Sequence, residues 1–510
     1  MNDKIIFWLD GDLTTFGVAK YLQEKLDADL FTIIDIPDKP KKFFSNQTII
    51  KFQKTWFYHD HIKSNVESDI NYLVQFEKKY NIPLWEIISN DRIFYHYNDY
   101  HKFSSKEVLS IITQECRLFE SILNEVNPNF FITHETAFQH HHLFHKMCLH
   151  QGVKVLMLNH ANYQSKCYIS QDRHKMDIIE SFDKIQTGGK TLDELQEELE
   201  IKPSSTKLQN FHSKLRNSKI KKIKAAIQFI IFSNNSNQKT HYTYFGRTKI
   251  RVLFKEIIYS LKCKYREYFI NKYFVRELDT SKFFVYFPLH QEPERSLLIA
   301  APFYTNQIET IRHIVKSLPI GFRLYVKEHP TQGPARGWRK ISFYKEILKI
   351  PNVTLIHPST PSKELIKNCS LVITVGGTSC FEAAFYQKPS IMFADLDYKL
   401  LPSVHKLDFL EELPSAIKSS LEKTINSDEL VKYVQMIKDN SFDFDYLDFQ
   451  ITYHNWFYYG GQLLDVDISE EKMRLFLEDQ KIILKNLVAE YIKKIEQFKI
   501  MKIEKQNDYP

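Results

Sequence analysis

Glycine and cysteine are both scarce in this 510-residue chain, with 13 and six residues. The cysteines (Cys116, Cys148, Cys167, Cys263, Cys369 and Cys380) are scattered and form no C-x-x-C pair. That spacing excludes a disulfide framework and a zinc ribbon, and it fits a reducing compartment. No stretch approaches the ~18 uninterrupted apolar residues of a transmembrane helix; "AAIQFIIF" at 225–232 is the nearest. "MNDKIIFWLDGD" has no long apolar core and carries early acids, so it does not read as a signal peptide. The expected location is cytoplasmic, with peripheral contact at the inner membrane face. There is no G-x-x-x-x-G-K-[ST], no G-x-G-x-x-G and no H-E-x-x-H, which argues against a P-loop triphosphatase, a nicotinamide enzyme and a zincin. Strong charge of one sign is also missing. The 69 basic and 62 acidic residues leave +7, too little for a nucleic-acid partner unless it is clustered.

Apolar material is abundant. The hydrophobic fraction is 43% and the aromatic fraction 14%, enough for two or three well-packed domains. "KIIFWLD" (4–10), "DLFTIIDI" (29–36), "NFFITHE" (129–135) and "VKVLMLNH" (153–160) read as buried strands. Helical patterns separate them, among them "SKEVLSIITQECRLFESILNEV" (105–126) and "AFQHHHLFHKMCLHQG", giving βαβ units and a parallel sheet. The rhythm lapses between 176 and 280. There "SKLRNSKIKKIKAAIQFIIF" (213–232) sets Leu215, Ile220, Ile223, Ile227 and Ile230 on one stripe and Lys219, Lys221, Lys222 and Lys224 elsewhere. It returns with strands "KFFVYFPL" (282–289), "FRLYVKEHP" (322–330), "VTLIHP" (353–358), "LVITV" (371–375) and "PSIMF" (389–393). The expected fold is α/β: two Rossmann-like doubly wound domains at 1–175 and 281–425, a helical basic insertion at 176–280, and a helical tail at 426–510 whose last helix covers 469–498.

Ligands of such sheets sit at the carboxyl ends of the strands, so the candidate site lies in the loops that follow them. In "VGGTSCFEA" the paired Gly376 and Gly377 let backbone approach a ligand and leave free N–H groups that suit an anion. Thr378 or Ser379 can cap the next helix and donate a hydroxyl to a phosphate. "VKEHP" brings Lys327, Glu328, His329 and Pro330 to the same edge, with His329 placed to donate to a phosphate or act as an acid. In the first half, "DGD" (10–12) is the nearest approach to Asp-x-Asp, and it reads as a base rather than a metal ligand. Asp10, Asp12, Glu135 and His160 are the candidates for that base. His141 and His145, four apart, form the one zinc-like pair, with no third ligand evident, so no metal is expected. His140, His141 and His142 are expected along a partly solvated helix edge.

These motifs carry a resemblance. "FVYFPLHQEPERSLL", "LYVKEHP", "NVTLIHP" and "VITVGGTSCFEAAFYQKPSIMF" resemble the capsule polysaccharide biosynthesis proteins, GT-B glycosyltransferases related to the β-Kdo transferases of capsule assembly. The likeness covers about 281–405. It implies that a Gln-Pro type motif, here Gln291-Glu292-Pro293, lines the donor site together with His329-Pro330. It also implies that Glu382, in Gly-Thr-x-x-x-Glu-Ala, stands near the nucleotide. The expected activity is metal-independent transfer of a sugar from a CMP- or UDP-linked donor, with no further cofactor. The acceptor is expected to be a capsular glycan or its lipid-linked precursor. The lysines at 213–232 would face an anionic membrane surface, and no nucleic acid is involved. A sugar-nucleotide 2-epimerase of the same architecture and a non-catalytic scaffold are the alternatives.

Overall fold

The structure, a computed structural model, describes residues 2–96, 99–173, 175–177, 182–185, 191–200, 219–232 and 236–507. Two sheets organise it. The first has the order β13-β6-β5-β4-β1-β2-β3. Its parallel part is β1 (Asp3–Leu9), β2 (Ala28–Ile34), β3 (Lys54–Phe57), β4 (Phe130–His134) and β5 (Lys154–His160), and β6 (Lys166–Ser170) turns back antiparallel on β5. The second sheet is parallel throughout, in the order β12-β11-β10-β7-β8-β9. It contains β7 (Phe284–Pro288), β8 (Arg323–Lys327), β9 (Val353–Ile356), β10 (Leu371–Thr374), β11 (Ser390–Met392) and β12 (Val404–Lys406). Each sheet reverses its strand order beside its first strand, and the crevice at such a switch point is where α/β folds bind ligands.

The long helix Ser105–Val126 begins with a capping box: Ser104 accepts from Glu107 N, and the Glu107 carboxylate accepts from Ser104 N. It ends at Asn127 in the left-handed conformation. The stretch 426–510, read from the sequence as one tail, is shared between the two cores over its described residues, 426–507. Helix Ser427–Asp439 buries Leu430, Tyr433 and Ile437 in the second. Strand β13 (Phe442–Asp443) then pairs antiparallel with β6, and the helices that follow pack on the first core. The expected helix 469–498 is two, Glu470–Asp479 and Lys481–Asn507, with Gln480 between them. In the middle, residues 201–218 lie outside the described residues. Beyond them come helix Lys219–Phe232 and the 25-residue helix Lys249–Tyr273. No helix among the described residues is long and apolar enough to cross a membrane.

Docking of the returning helix depends on Gly17 in helix Leu13–Leu22. A Cβ there would stand 2.7 Å from Leu484 Cδ2, and Leu484 is fully buried. Gly17→Ala is therefore expected to destabilise by about 1–3 kcal/mol through overpacking, and Leu484→Ala by about 2–5 kcal/mol. Because Leu484→Ala removes the clashing methyls, the double variant should be more stable than the sum predicts, by about 0.5–3 kcal/mol. Denaturant unfolding of the four proteins measures this, and strictly additive energies would refute the contact.

Candidate functional site

The carboxyl ends of both sheets meet at one cleft. On its first-domain side is a cavity of about 230 Å³. Its wall includes His134 at the end of β4, Glu135 after it, His160 at the end of β5, Arg173 after β6, and Arg295 from the second domain. A neighbouring cavity of about 170 Å³ belongs to the second domain. His290 after β7, His329 after β8, and Gly376, Gly377, Thr378 and Ser379 after β10 line it. Arg173 and Glu294 border both cavities, so the two are chambers of one cleft. Direct bonds hold its sides together. Arg295 donates from Nε to the Thr136 carbonyl and from Nη2 to Thr136 Oγ1 at 2.9 Å, and Asn162 Nδ2 donates to the Tyr398 hydroxyl at 2.9 Å.

The first-domain chamber holds a dense set of charges. Arg173 Nε pairs with Glu135 Oε2 at 3.0 Å. His134 Nε2 stands 3.3 Å from Asp10 Oδ2. Burial disfavours the His134 cation, but Asp10, helped by Asp12 and Glu135, outweighs it and lifts the pKa to about 9. The imidazole is thus protonated at neutral pH. His160 behaves oppositely: burial lowers its pKa below the ordinary value, and its ring sits edge-on to Tyr446 at 4.8 Å. Asp10 and Asp12 stand behind this wall. Asp10 accepts from Asp12 N at 2.7 Å. Asp12 caps helix Leu13–Leu22 through Thr14 N at 2.8 Å and accepts from the Tyr446 hydroxyl.

In the second-domain chamber His329 has a defined tautomer. The Thr331 N–H donates to its Nδ1 at 3.3 Å, so the ring proton is on Nε2, and burial lowers its pKa so that the ring is neutral. His290 takes the other tautomer. Its Nε2 accepts from Gly376 N at 3.2 Å, and burial pushes its pKa down to about 3.

The glycine loop differs from the expectation of free backbone donors. Gly376 N is bonded to His290, and Gly377 N donates to Thr374 Oγ1 at 3.2 Å. The glycines answer a packing demand instead. A Cβ on Gly376 would lie 2.8 Å from Ala394 Cβ, and one on Gly377 would lie 3.2 Å from His290 Cε1. Thr378 makes no side-chain cap; it donates to Glu382 Oε1 at 2.8 Å.

Several residues named from the sequence lie behind the chamber wall. Gln291 Oε1 accepts from the Thr331 hydroxyl at 3.1 Å. Lys327 Nζ donates to Ser362 Oγ at 2.8 Å, and burial pushes its pKa down to about 8 against the opposing pull of Glu382. Burial in turn raises Glu382. Glu328 is fully buried and is consumed by Arg339 Nε at 2.8 Å, the Tyr344 hydroxyl at 2.6 Å and His329 N at 2.8 Å. Pro330 is half-buried where the turn leaves His329.

The histidine helix Gln139–His150 also departs from expectation. His140, His141 and His142 are buried, not edge-solvated, because each has a polar or aromatic partner inside. His140 meets Asp35 at 2.8 Å, and His141 stacks on Trp8 at 4.4 Å and bonds Thr133 Oγ1 at 2.6 Å. His145 turns to the Gln171 carbonyl at 2.8 Å, so it does not pair with His141. Among the described residues, Asp10, His134 and His141 are the set able to offer a metal three ligand atoms, all within 4.8 Å of one another.

Sequence reasoning passed over His290, Arg173, Glu294 and Arg295 as site residues. His290 stood beside the quoted Gln-Glu-Pro, and its place two residues past the end of β7 was the available signal. Arg173 lies in a turn with no motif, and Arg295 opens the short helix Arg295–Leu298 inside the quoted "FVYFPLHQEPERSLL".

Residues 191–400 match the family model described as capsule polysaccharide biosynthesis protein, the family that the strand and loop motifs resemble. No curated protein matches the chain. Solved structures are similar at low identity. A UDP-GlcNAc 2-epimerase from Methanocaldococcus jannaschii is 12% identical over 86% of this chain and 100% of that one, with a TM-score of 0.24. A UDP-GlcNAc 2-epimerase from Neisseria meningitidis, bound to UDP-GlcNAc, is 12% identical over 86% and 98%, with a TM-score of 0.26. A β-Kdo 2,4-transferase from Thermosulfurimonas dismutans is 10% identical over 60% and 78%, with a TM-score of 0.30.

The Asp10–His134 pair gives a pH signature. The folded pKa of about 9 lies above the unfolded value of about 6.5. The pair's stabilisation is therefore complete below pH 6.5 and is lost as pH rises through about 9. Asp10→Asn should remove that alkaline loss and bring the His134 titration, followed by NMR, below neutrality. A His134 that still titrates near 9 in the variant would refute Asp10 as the cause.

Proposed function

We propose that the protein is a glycosyltransferase that moves a sugar from a CMP- or UDP-linked donor to a capsular polysaccharide or its lipid-linked precursor. The observation that carries this reading is the single cleft at the carboxyl edges of two doubly wound sheets, with Arg173 common to both chambers. The capsule family match over 191–400 supports it. The nucleotide's phosphates are assigned to the second chamber, where the hydroxyl of Ser379 and the Nε2–H of His329 are on hand, the Thr378 hydroxyl being given to Glu382. As the glycosidic bond breaks, negative charge grows on the leaving phosphate, and a fixed donor there stabilises the transition state.

The acceptor is assigned to the first chamber. Of the four candidate bases, Asp10 is engaged by His134, Asp12 by a helix end and Tyr446, and Glu135 by Arg173. His160 lines the chamber and is kept unprotonated by burial. It is the group suited to take the proton from the acceptor hydroxyl. Arg92, Arg173, Arg295 and protonated His134 face Glu135 and Glu294 across this chamber. That cationic surplus supports charge stabilisation without a metal. The six free, buried cysteines support a cytoplasmic location.

The test is turnover with CMP- and UDP-sugars, with product identification. His329→Ala should lower the rate on the order of 10²–10³-fold. His160→Gln should lower it by about 10²–10⁴-fold and remove the acid limb of the pH profile. Transfer should persist in EDTA. Release of an epimerised free sugar would move the protein to the epimerase reaction, and loss of all turnover in EDTA would assign a metal to Asp10, His134 and His141. A His329→Ala variant that melts lower but turns over normally would leave that histidine a purely structural one.

A further inference from the structure

Helix Lys249–Tyr273 is fastened to the second domain by one face only. On that side Cys263, Phe269 and Ile270 are buried, Cys263 Sγ reaches the Gly337 carbonyl at 3.2 Å, and Arg266 Nη1 donates to the Trp338 carbonyl at 2.8 Å. The opposite face is apolar and open. Ile250, Phe254, Ile257, Leu261, Tyr265 and Tyr268 are between 61 and 81% exposed. Their spacing of four, three, four, four and three residues places them on one stripe about 27 Å long, at 1.5 Å per residue. Soluble monomers rarely leave so continuous an apolar strip uncovered.

The neighbouring helix extends the surface. Lys249 Nζ donates to the Ile230 carbonyl at 2.6 Å, and Ile223, Ile227, Ile230 and Ile231 of helix Lys219–Phe232 are exposed as well. Ile223, Ile227 and Ile230, which the sequence sets on one stripe, therefore face solvent. Charge decides what covers the surface. Helix Lys249–Tyr273 carries seven basic and two acidic residues, and Lys219–Phe232 carries four basic and none acidic. Together they hold +9, while the whole chain carries +7, so the remaining residues sum to −2. The protein's entire positive excess sits on the two helices that expose apolar side chains. Lys262, Lys264 and Lys272 are exposed beside the stripe.

We infer that this two-helix surface docks the protein in the plane of an anionic lipid bilayer, with the Ile250–Tyr268 stripe in the acyl boundary and the lysines at the headgroups. An apolar, aromatic-bearing stripe with flanking lysines is the pattern of an interfacial helix. The inference extends the contact from the lysine run 213–232 to the face of Lys249–Tyr273, and it is independent of the transfer chemistry.

The experiment is co-sedimentation of the full chain with phosphatidylglycerol-containing vesicles and with phosphatidylcholine alone, in the absence of any sugar. The wild type should bind the anionic vesicles, more weakly as salt rises, and not the neutral ones. Joint replacement Ile250→Gln, Phe254→Gln, Ile257→Gln and Leu261→Gln should abolish binding and leave the melting temperature unchanged, since these side chains are exposed. Lys262→Gln, Lys264→Gln and Lys272→Gln together should weaken it on the order of 100-fold. Wild type that stays in the supernatant, or variants that bind as wild type does, would overturn the inference. So would a wild-type dimer by light scattering that the four glutamines dissociate, because the face would then join two copies. The transfer reading survives any of these results.

Discussion

One buried guanidinium holds the second-domain chamber together. Arg339 meets Glu328 Oε2 at 2.8 Å and Glu292 Oε2 at 2.5 Å, and it donates to the His290 carbonyl. Glu292 and His290 are on the loop after β7, and Glu328 directly follows β8, so a single side chain fixes the exits of two neighbouring strands. The third exit follows, because His290 passes the constraint to Gly376 and Thr374 beside β10. Burying one cation against two carboxylates is tolerable only with the hydrogen bonds complete. The Tyr344 hydroxyl and His329 N complete them on Glu328. Removing one partner of such a cluster leaves an uncompensated charge, typically a loss of about 3–5 kcal/mol. The loops that line the chamber are therefore held from behind, by residues that never reach it.

The other chamber is held differently. Its walls come from both domains, and the bonds across the cleft end on loops: Arg295 on Thr136, Asn162 on Tyr398, and Lys175 on Asp395 at 2.9 Å. The chain also crosses back, since β13 and the last helices pack on the first core after the second domain is complete. That return supplies Tyr446, which touches both Asp12 and His160. The first-domain chamber thus depends on sequence more than 400 residues from Asp12, and no local pattern around Asp12 could announce it.

This difference explains what was legible in the sequence. Long β-branched runs such as "KIIFWL" and "LVIT" are buried on both faces and declare themselves. β3, with lysine and threonine in four residues, and β12, three residues with a histidine and a lysine, are edge strands whose composition resembles a loop. Histidine gave the opposite error. Three in a row read as solvated, yet Asp35, Trp8, Thr133 and Thr136 supply each ring with a partner, and a partnered imidazole is at ease inside. Glu328 read as a ligand contact because it adjoins His329. Only the position of Arg339, eleven residues on, reveals that the carboxylate turns away.

The glycine pair is where the two levels of description separate most. In the sequence, two adjacent glycines at a strand end suggest backbone amides offered to an anion. In the fold, both amides already have acceptors inside the protein, and the missing side chains make room for Ala394 and His290. On the proposed reading, phosphate recognition then falls to the hydroxyl of Ser379 and to a neutral His329, because Thr378 donates to Glu382. A neutral donor suits this task. It adds little attraction to the bound donor sugar, and its hydrogen bond strengthens as charge develops on the leaving oxygen, which is the differential that accelerates a reaction. The permanent cations, Arg173 and Arg295, stand where the chambers meet or on the first-domain side. They can follow the charge as it separates between sugar and phosphate without holding the nucleotide so tightly that it cannot leave.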